Sequence, residues 1–145
     1  LKVFGKGFAG FEEELKEKVA RTSNIEFLGE VSDEKKNELM AGAKAFVFAS
    51  EDEDFGITPV EAMMAGAPVI AHHSGGVLET VIDGKTGLFF DEFNVENLNS
   101  AIKKFETLRQ AQGSFDSAKI KRHAKKFSKA RFEKEIKEFV GKYAK

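Results

Sequence analysis

The chain has 145 residues, with 23 Lys or Arg against 24 Asp or Glu, three His and no Cys. A net charge of −1 leaves no basic excess for nucleic acid, and without thiols there is neither a disulfide framework nor a thiolate metal site. No apolar run approaches the ~20 residues that span a bilayer and no signal peptide is visible, so a soluble, cytoplasmic domain is expected.

Residues 1–4 read as a strand. They open without an initiator methionine or an entry segment, which reads as the middle of a longer protein. A glycine-rich turn follows, then a helix over about 12–20 and a second strand over 25–28. Ser32 caps a helix over about 33–43, with Leu39, Met40 and Ala43 on its apolar side. Residues 45–49 are a third, buried strand. Thr58, Pro59 and Glu61 read as N-cap, N1 and N3 of the next helix, a capping box that ends at Gly66. Residues 68–71 form a fourth strand, Gly75-Gly76 leads into a short helix over about 77–82, and 87–90 form a fifth strand. Asn94 caps a helix over about 95–105, a polar linker lies near 110–114, and the remainder is helical.

Short apolar strands alternating with helices predict an α/β fold, a Rossmann-like parallel sheet with helices on both faces. Such sheets bind ligands beyond the carboxyl ends of their strands. The loops 5–10, 29–32, 50–56 and 72–76 all lie there.

The most informative of these is Glu53-Asp54-Phe55-Gly56-Ile57-Thr58-Pro59-Val60-Glu61, an acidic loop running into a helix N-terminus. The N-terminus carries about half a positive charge and unpaired N–H groups, which suit a phosphate. Carboxylates beside it accept hydrogen bonds from hydroxyls. Anion plus polyol describes a sugar nucleotide. Glu61 taken alone is explained by capping; Glu53, Phe55 and Gly56 tip the balance to a site. Calcium is the rival for the acids Glu51 to Asp54, but the EF-hand spacing is absent. No metal site is expected: the histidines, His72, His73 and His123, have no ligand spacing.

Gly5-Lys6-Gly7-Phe8-Ala9-Gly10 is a literal G-x-G-x-x-G, the fingerprint of an NAD-dependent oxidoreductase. Glu12, Glu13 and Glu14 would repel a pyrophosphate at the following helix, so a structural turn is the preferred reading. Gly84-Lys85-Thr86 lacks the earlier glycine and the strand of a P-loop and reads as a turn. His72 and His73 read as packing or surface residues, with a phosphate or sugar contact at His73 the less favoured alternative.

Residues 117–145 hold eleven Lys or Arg against three Glu, a balance of +8. Phe127, Phe132, Ile136, Phe139 and Tyr143 recur at helical spacing, which predicts an amphipathic helix docked by its apolar face. Peripheral contact with an anionic membrane surface, at the inner face, is the alternative.

The run from Glu53 to Ala71, E-D-F-G-I-T-P-V-E-A-M-M-A-G-A-P-V-I-A, resembles the E-x(7)-E region of retaining glycosyltransferases, family 4, of GT-B fold. L-K-V-F-G-K-G, N-I-E-F-L-G-E-V-S-D and S-G-G-V-L-E-T-V-I-D-G-K-T-G-L are similar to that family too, over about residues 1–105. The likeness is to mannosyltransferase-like members that assemble polysaccharides or glycolipids. It implies that the chain is a donor-binding domain, with 106–145 a helical, basic extension, truncated at its N-terminus and without its acceptor domain.

It implies further that Glu53 contacts the donor-sugar hydroxyls and orients the sugar for reaction. The backbone N–H groups around Phe55, Gly56 and Ile57 would hold the diphosphate, and Thr58 a phosphate oxygen. Glu61 would bond the ribose, Val31 the base through its backbone, with Asp33 and Lys36 at its edge. The donor is GDP-mannose or a UDP- or ADP-sugar, with no other cofactor. By this resemblance the family's diphosphate-neutralising Arg and Lys fall before Leu1, and Lys6 is not assigned their role. The fragment alone is expected to be inactive. A non-catalytic nucleotide-sugar-binding module shares all these features.

Overall fold

A computed structural model of the chain describes residues 1–6, 11–20, 22–112 and 115–144. Most of the G-x-G-x-x-G loop, residues 7–10, lies outside them, as do 113 and 114 in the expected linker. Two compact units make up the chain, Leu1–Lys36 and Asn37–Lys145.

The first unit holds β1 (Lys2–Val3), α1 (Phe11–Val19), β2 (Glu26–Phe27) and the start of α2 (Asp33–Gly42). β1 and β2 pair in parallel, Lys2 opposite Glu26 and Val3 opposite Phe27. The Ser32 hydroxyl accepts the Lys35 N–H at 3.2 Å, the cap its sequence position predicts.

The second unit continues with β3 (Phe46–Phe48), α3 (Ile57–Ala65), β4 (Val69–His72), α4 (Val77–Thr80), β5 (Gly87–Phe90) and α5 (Val95–Gln112). It closes with α6 (Ser117–Ala124), a 3₁₀ turn over Lys125–Phe127, and α7 (Lys129–Tyr143). β4 is the central strand and is parallel to both neighbours: Val47 and Leu88 flank Ile70. All four β4 residues are buried because helices cover both faces. On one face Ile70 packs with Leu88, Phe90, Ala101 and Phe105, bringing α5 onto the sheet. Alternation turns Val69 and Ala71 the other way, where α3 packs on β4 and α6 on α3. Met63, Ile120 and Ala124 are fully buried there. The parallel α/β class is as the sequence predicts. Hydrogen bonding among the described residues divides the strands into β1–β2 and β3–β4–β5.

Three local expectations are corrected. The helix after the acidic loop does not begin at a Thr58 cap. α3 starts at Ile57 with Gly56 as N-cap, in the left-handed region at φ 73°, and no side chain caps it. Pro59 is thus the third helical residue rather than the first, and Glu61 lies in the second turn. α5 does not stop near Phe105: it runs through Gln112, because Leu108 packs against the core and Arg109 to Gln112 are good helix formers. Finally, α6 docks but α7 does not. Phe132, Phe139 and Tyr143 on α7 are 65, 61 and 61% exposed, so its apolar stripe is an open face.

Asp116 caps α6, its carboxylate accepting the Ala118 and Lys119 N–H groups at 2.8 and 3.0 Å. The Lys119 N–H first, then that of Ala118, holds the carboxyl below the usual Asp range. A depressed native pKa stabilises the fold above the unfolded-state pKa, and this contribution fades as pH falls through the native value. Asp116→Ala is expected to lower the melting temperature at about pH 7, with the gap to wild type closing toward about pH 3. Thermal unfolding followed by circular dichroism across that range measures it. A gap that widens on acidification would contradict the assignment.

Candidate functional site

β3, β4 and β5 are parallel, so Phe48, His72 and Phe90 end at one edge of the sheet. The loops that leave this edge are 49–56, 73–76 and 91–94. The first carries Glu51, Asp52, Glu53 and Asp54, all exposed, and delivers the chain into α3. Gly56 is buried at that turn, and a Cβ there would stand 3.2 Å from Val77 Cγ1 besides forcing an L-residue into the left-handed region.

α3 differs from α2, α5, α6 and α7 in what meets its N-terminus. Side chains of Ser32, Asn94, Asp116 and Ser128 cap α2, α5, α6 and α7. None caps α3. The first-turn N–H groups of Gly56, Ile57 and Thr58 thus stand at the sheet's carboxyl edge, and Pro59 removes the next donor, which no intrahelical acceptor would have met. Such an end, with its share of the helix dipole, attracts anions.

The acidic loop is held from behind. The Gly76 N–H donates to the Glu53 carbonyl at 2.7 Å, and the Asp52 N–H donates to Ser74 Oγ at 3.2 Å. A Cβ on Gly76 would lie 2.4 Å from Asp54 O and 2.4 Å from Phe55 Cα, so only glycine lets the two loops approach this closely. From the other side, the Phe55 ring meets Phe127 edge-on at 6.1 Å, and Phe127 meets His123 at 5.6 Å. His123 Nε2 in turn lies 2.7 Å from the Thr80 carbonyl.

Glu53, Phe55, Gly56, Ile57, Thr58 and Glu61 fall on one continuous loop-to-helix segment. Glu53 is exposed, Phe55 and Ile57 are 41 and 64% exposed, and Thr58 and Glu61 are half-buried. Val31, Asp33 and Lys36 belong to the first unit. Val31 is half-buried just ahead of α2, and Lys36 Nζ pairs with Asp33 Oδ1 at 3.1 Å. Beside them the Glu34 carboxyl is held below its usual range by its own backbone N–H and the Ser32 hydroxyl.

His73 is exposed, bonded to Asp91 Oδ1 at 2.8 Å and stacked on Phe89. The Gly84-Lys85-Thr86 segment is a turn: Gly84 N–H bonds Gly87 O, and Thr86 Oγ1 accepts the Ile82 N–H. An apolar hollow of about 190 Å³ lies at the same sheet edge, lined by Ala49, Phe90, Phe93, Asn94, Val95 and Leu98. Among the described residues, no group of three or more His, Asp or Glu is placed to hold a metal ion.

Sequence reasoning missed two groups. Gly75-Gly76 reads as a helix lead-in, yet with Ser74 it is the rear wall of the acidic loop; the paired glycines after a parallel strand were the available signal. Phe127 reads as one apolar position among many, and nothing local marks it as a neighbour of Phe55.

Residues 1–127 match the family described as "Glycosyl transferases group 1". Human alpha-1,3/1,6-mannosyltransferase ALG2 is 33% identical over 136 residues, covering 90% of this chain and 32% of that protein. The Dictyostelium discoideum protein of the same name is 44% identical over 78 residues, 52% of this chain and 19% of the relative. The chain thus spans about a third or less of the curated relatives it matches. Among solved structures, Anabaena Alr3699/HepE in complex with UDP and glucose superposes with a TM-score of 0.79 at 25% identity, covering 97% of this chain and 40% of that one.

Proposed function

The chain belongs to the glycosyl transferases group 1 family, and from that premise we propose that it is the donor-binding part of a retaining glycosyltransferase that moves a sugar from a nucleoside diphosphate to an acceptor hydroxyl. The observation that carries this is the N-terminus of α3: uncapped by any side chain, set at the sheet's carboxyl edge, with Glu53 just before it and Glu61 one turn inside. The Gly56, Ile57 and Thr58 N–H groups hold the diphosphate, and Thr58 adds its hydroxyl. Glu61 bonds the ribose. Glu53 accepts hydrogen bonds from the sugar hydroxyls and so orients the anomeric carbon. Mannose is the favoured sugar, after the names of the curated relatives.

In this reaction the bond from the anomeric carbon to the diphosphate oxygen breaks as the acceptor oxygen bonds the same face, and the acceptor's hydroxyl proton passes to the leaving phosphate oxygen. Negative charge grows on the leaving phosphate while the sugar becomes oxocarbenium-like. The residues named here act by positioning and by offering fixed N–H dipoles to that charge. No protein nucleophile is required. The chain is expected to bind donor without transferring it, and turnover of GDP-mannose by these 145 residues would refute that expectation.

Calorimetric titration with GDP, UDP, ADP and their sugars tests the reading. One nucleotide class is expected to bind. Glu61→Ala is expected to weaken it about tenfold or more, the scale of lost charge-assisted hydrogen bonds. Binding unaltered by Glu61→Ala would refute the ribose role. Absence of binding by every nucleotide would refute the donor site.

A further inference from the structure

Asp52, immediately ahead of Glu53, has φ 52°, a left-handed conformation that costs an L-residue energy unless its surroundings hold it. The restraint comes from the turn after β4. Ser74 Oγ accepts the Asp52 N–H at 3.2 Å and lies 2.9 Å from His72 Nδ1. His72 Nε2 lies 3.2 Å from the Asp91 carbonyl. A carbonyl oxygen only accepts, so Nε2 must carry the proton. In the neutral ring Nδ1 is then an acceptor, and the Ser74 hydroxyl donates to it. That leaves the Ser74 lone pairs aimed at Asp52. His72 is itself 7% exposed and wedged between the rings of Phe90 and Phe93, at 5.4 and 5.2 Å. Hydrogen bonds thus run in one direction from the acidic loop to the β5 exit: Asp52 N–H to Ser74, Ser74 O–H to His72, His72 N–H to Asp91. Next to this chain, Gly76 N–H fixes the Glu53 carbonyl.

We infer that His72 and Ser74 are positioning residues for Glu53: they fix the backbone of the acidic loop so that its carboxylate meets the donor sugar. The role of Glu53 is taken from the proposed function, and the lock is a separate claim with its own readouts. The lock bears on the sugar end of the donor. In the proposed function the nucleotide end rests on α3 and Glu61.

The test uses the full 145-residue chain labelled with ¹⁵N. Long-range ¹H–¹⁵N spectra of the His72 ring are expected to show a protonated Nε2 and an acceptor Nδ1; a protonated Nδ1 in the neutral ring overturns the lock. Amide exchange at Asp52 is expected to accelerate in Ser74→Ala and to return toward wild type in Ser74→Thr, which keeps the hydroxyl. Exchange unmoved by Ser74→Ala also overturns it. In calorimetry, Ser74→Ala is expected to weaken GDP-mannose or UDP-glucose, whichever binds, by about fivefold while changing GDP or UDP less than about twofold. His72→Phe, which keeps an aromatic ring against Phe90 and Phe93, is expected to do the same. Equal losses for sugar nucleotide and bare nucleotide overturn the positioning role. If wild type binds no nucleotide, the donor reading falls and this role with it, while the tautomer and exchange results still decide whether the lock exists.

Discussion

Replacing Gly76 with alanine is expected to weaken donor binding sharply. The added methyl would lie 2.4 Å from Asp54 O, 2.4 Å from Phe55 Cα and 2.8 Å from Asp54 C. All three are backbone atoms, so no side-chain rotation relieves the overlap. Either the acidic loop retreats or the start of α4 is displaced, and the 2.7 Å bond from Gly76 N–H to Glu53 O breaks in both cases. Overpacking of this kind costs about 1–3 kcal/mol of stability. The binding loss is expected to be the larger effect, about a hundredfold, because Glu53, Phe55 and Gly56 move together. Gly84→Ala is the control. Its φ is +69°, yet nothing lies within 4 Å of the new Cβ, so only backbone strain of about 1 kcal/mol is expected and donor affinity stays unchanged. Nucleotide-sugar titration and urea unfolding of both variants separate the two outcomes. Wild-type affinity in the Gly76→Ala variant would show that the two loops do not need this contact.

Phe105→Ala is expected to produce the largest loss of stability. The ring is 2% exposed and packs among Ile70, Leu88, Phe90 and Ala101, with Phe115 at 5.0 Å. Truncating such a side chain removes buried apolar surface and leaves a cavity that the sheet cannot fill. The usual cost is about 3–5 kcal/mol, a large part of the ~5–15 kcal/mol that keeps a domain folded. A fall in melting temperature of roughly 10–15 °C follows. Phe132→Ala, on the open stripe of α7, changes a residue 65% exposed and is expected to stay within about 0.5 kcal/mol of wild type. Urea midpoints for the two variants, at unchanged slope, test the contrast. Equal destabilisation would mean that α7 is packed as tightly as α5.

That pair also marks where sequence pattern stops being informative. Phe105 and Phe132 both recur at helical spacing with apolar partners, and periodicity reports a stripe without saying whether anything covers it. β5 was legible because the Asp83-Gly84 turn leads directly into a short apolar run, and punctuation of that kind is local. Gly66 was legible for the same reason, a C-terminal glycine in the left-handed region at φ 97°. The start of α3 was not. Thr58-Pro59-Val60-Glu61 spells a capping box, but the chain enters the helix one residue ahead of Thr58, through Gly56. Gly56 makes that entry in the left-handed region, where a Cβ would stand 3.2 Å from Val77 Cγ1, and no local rule contains that approach. The expected site residues from Glu53 to Glu61 form one segment by chain order alone, so their adjacency needs no tertiary information. Ser74 and His72 reach the same loop across a sheet edge, and only the β3–β4–β5 register brings them there.

The central claim is that the N–H groups opening α3 cradle a nucleoside diphosphate. Its most direct test is a titration of the ¹⁵N-labelled chain with the nucleotide sugar that binds, following backbone amides. The amides of Gly56, Ile57 and Thr58 should show the largest saturable shifts, and Glu61→Ala should need about tenfold more ligand, or more, to reach them. Saturable shifts that leave these three amides in place and gather elsewhere on the chain would contradict the account.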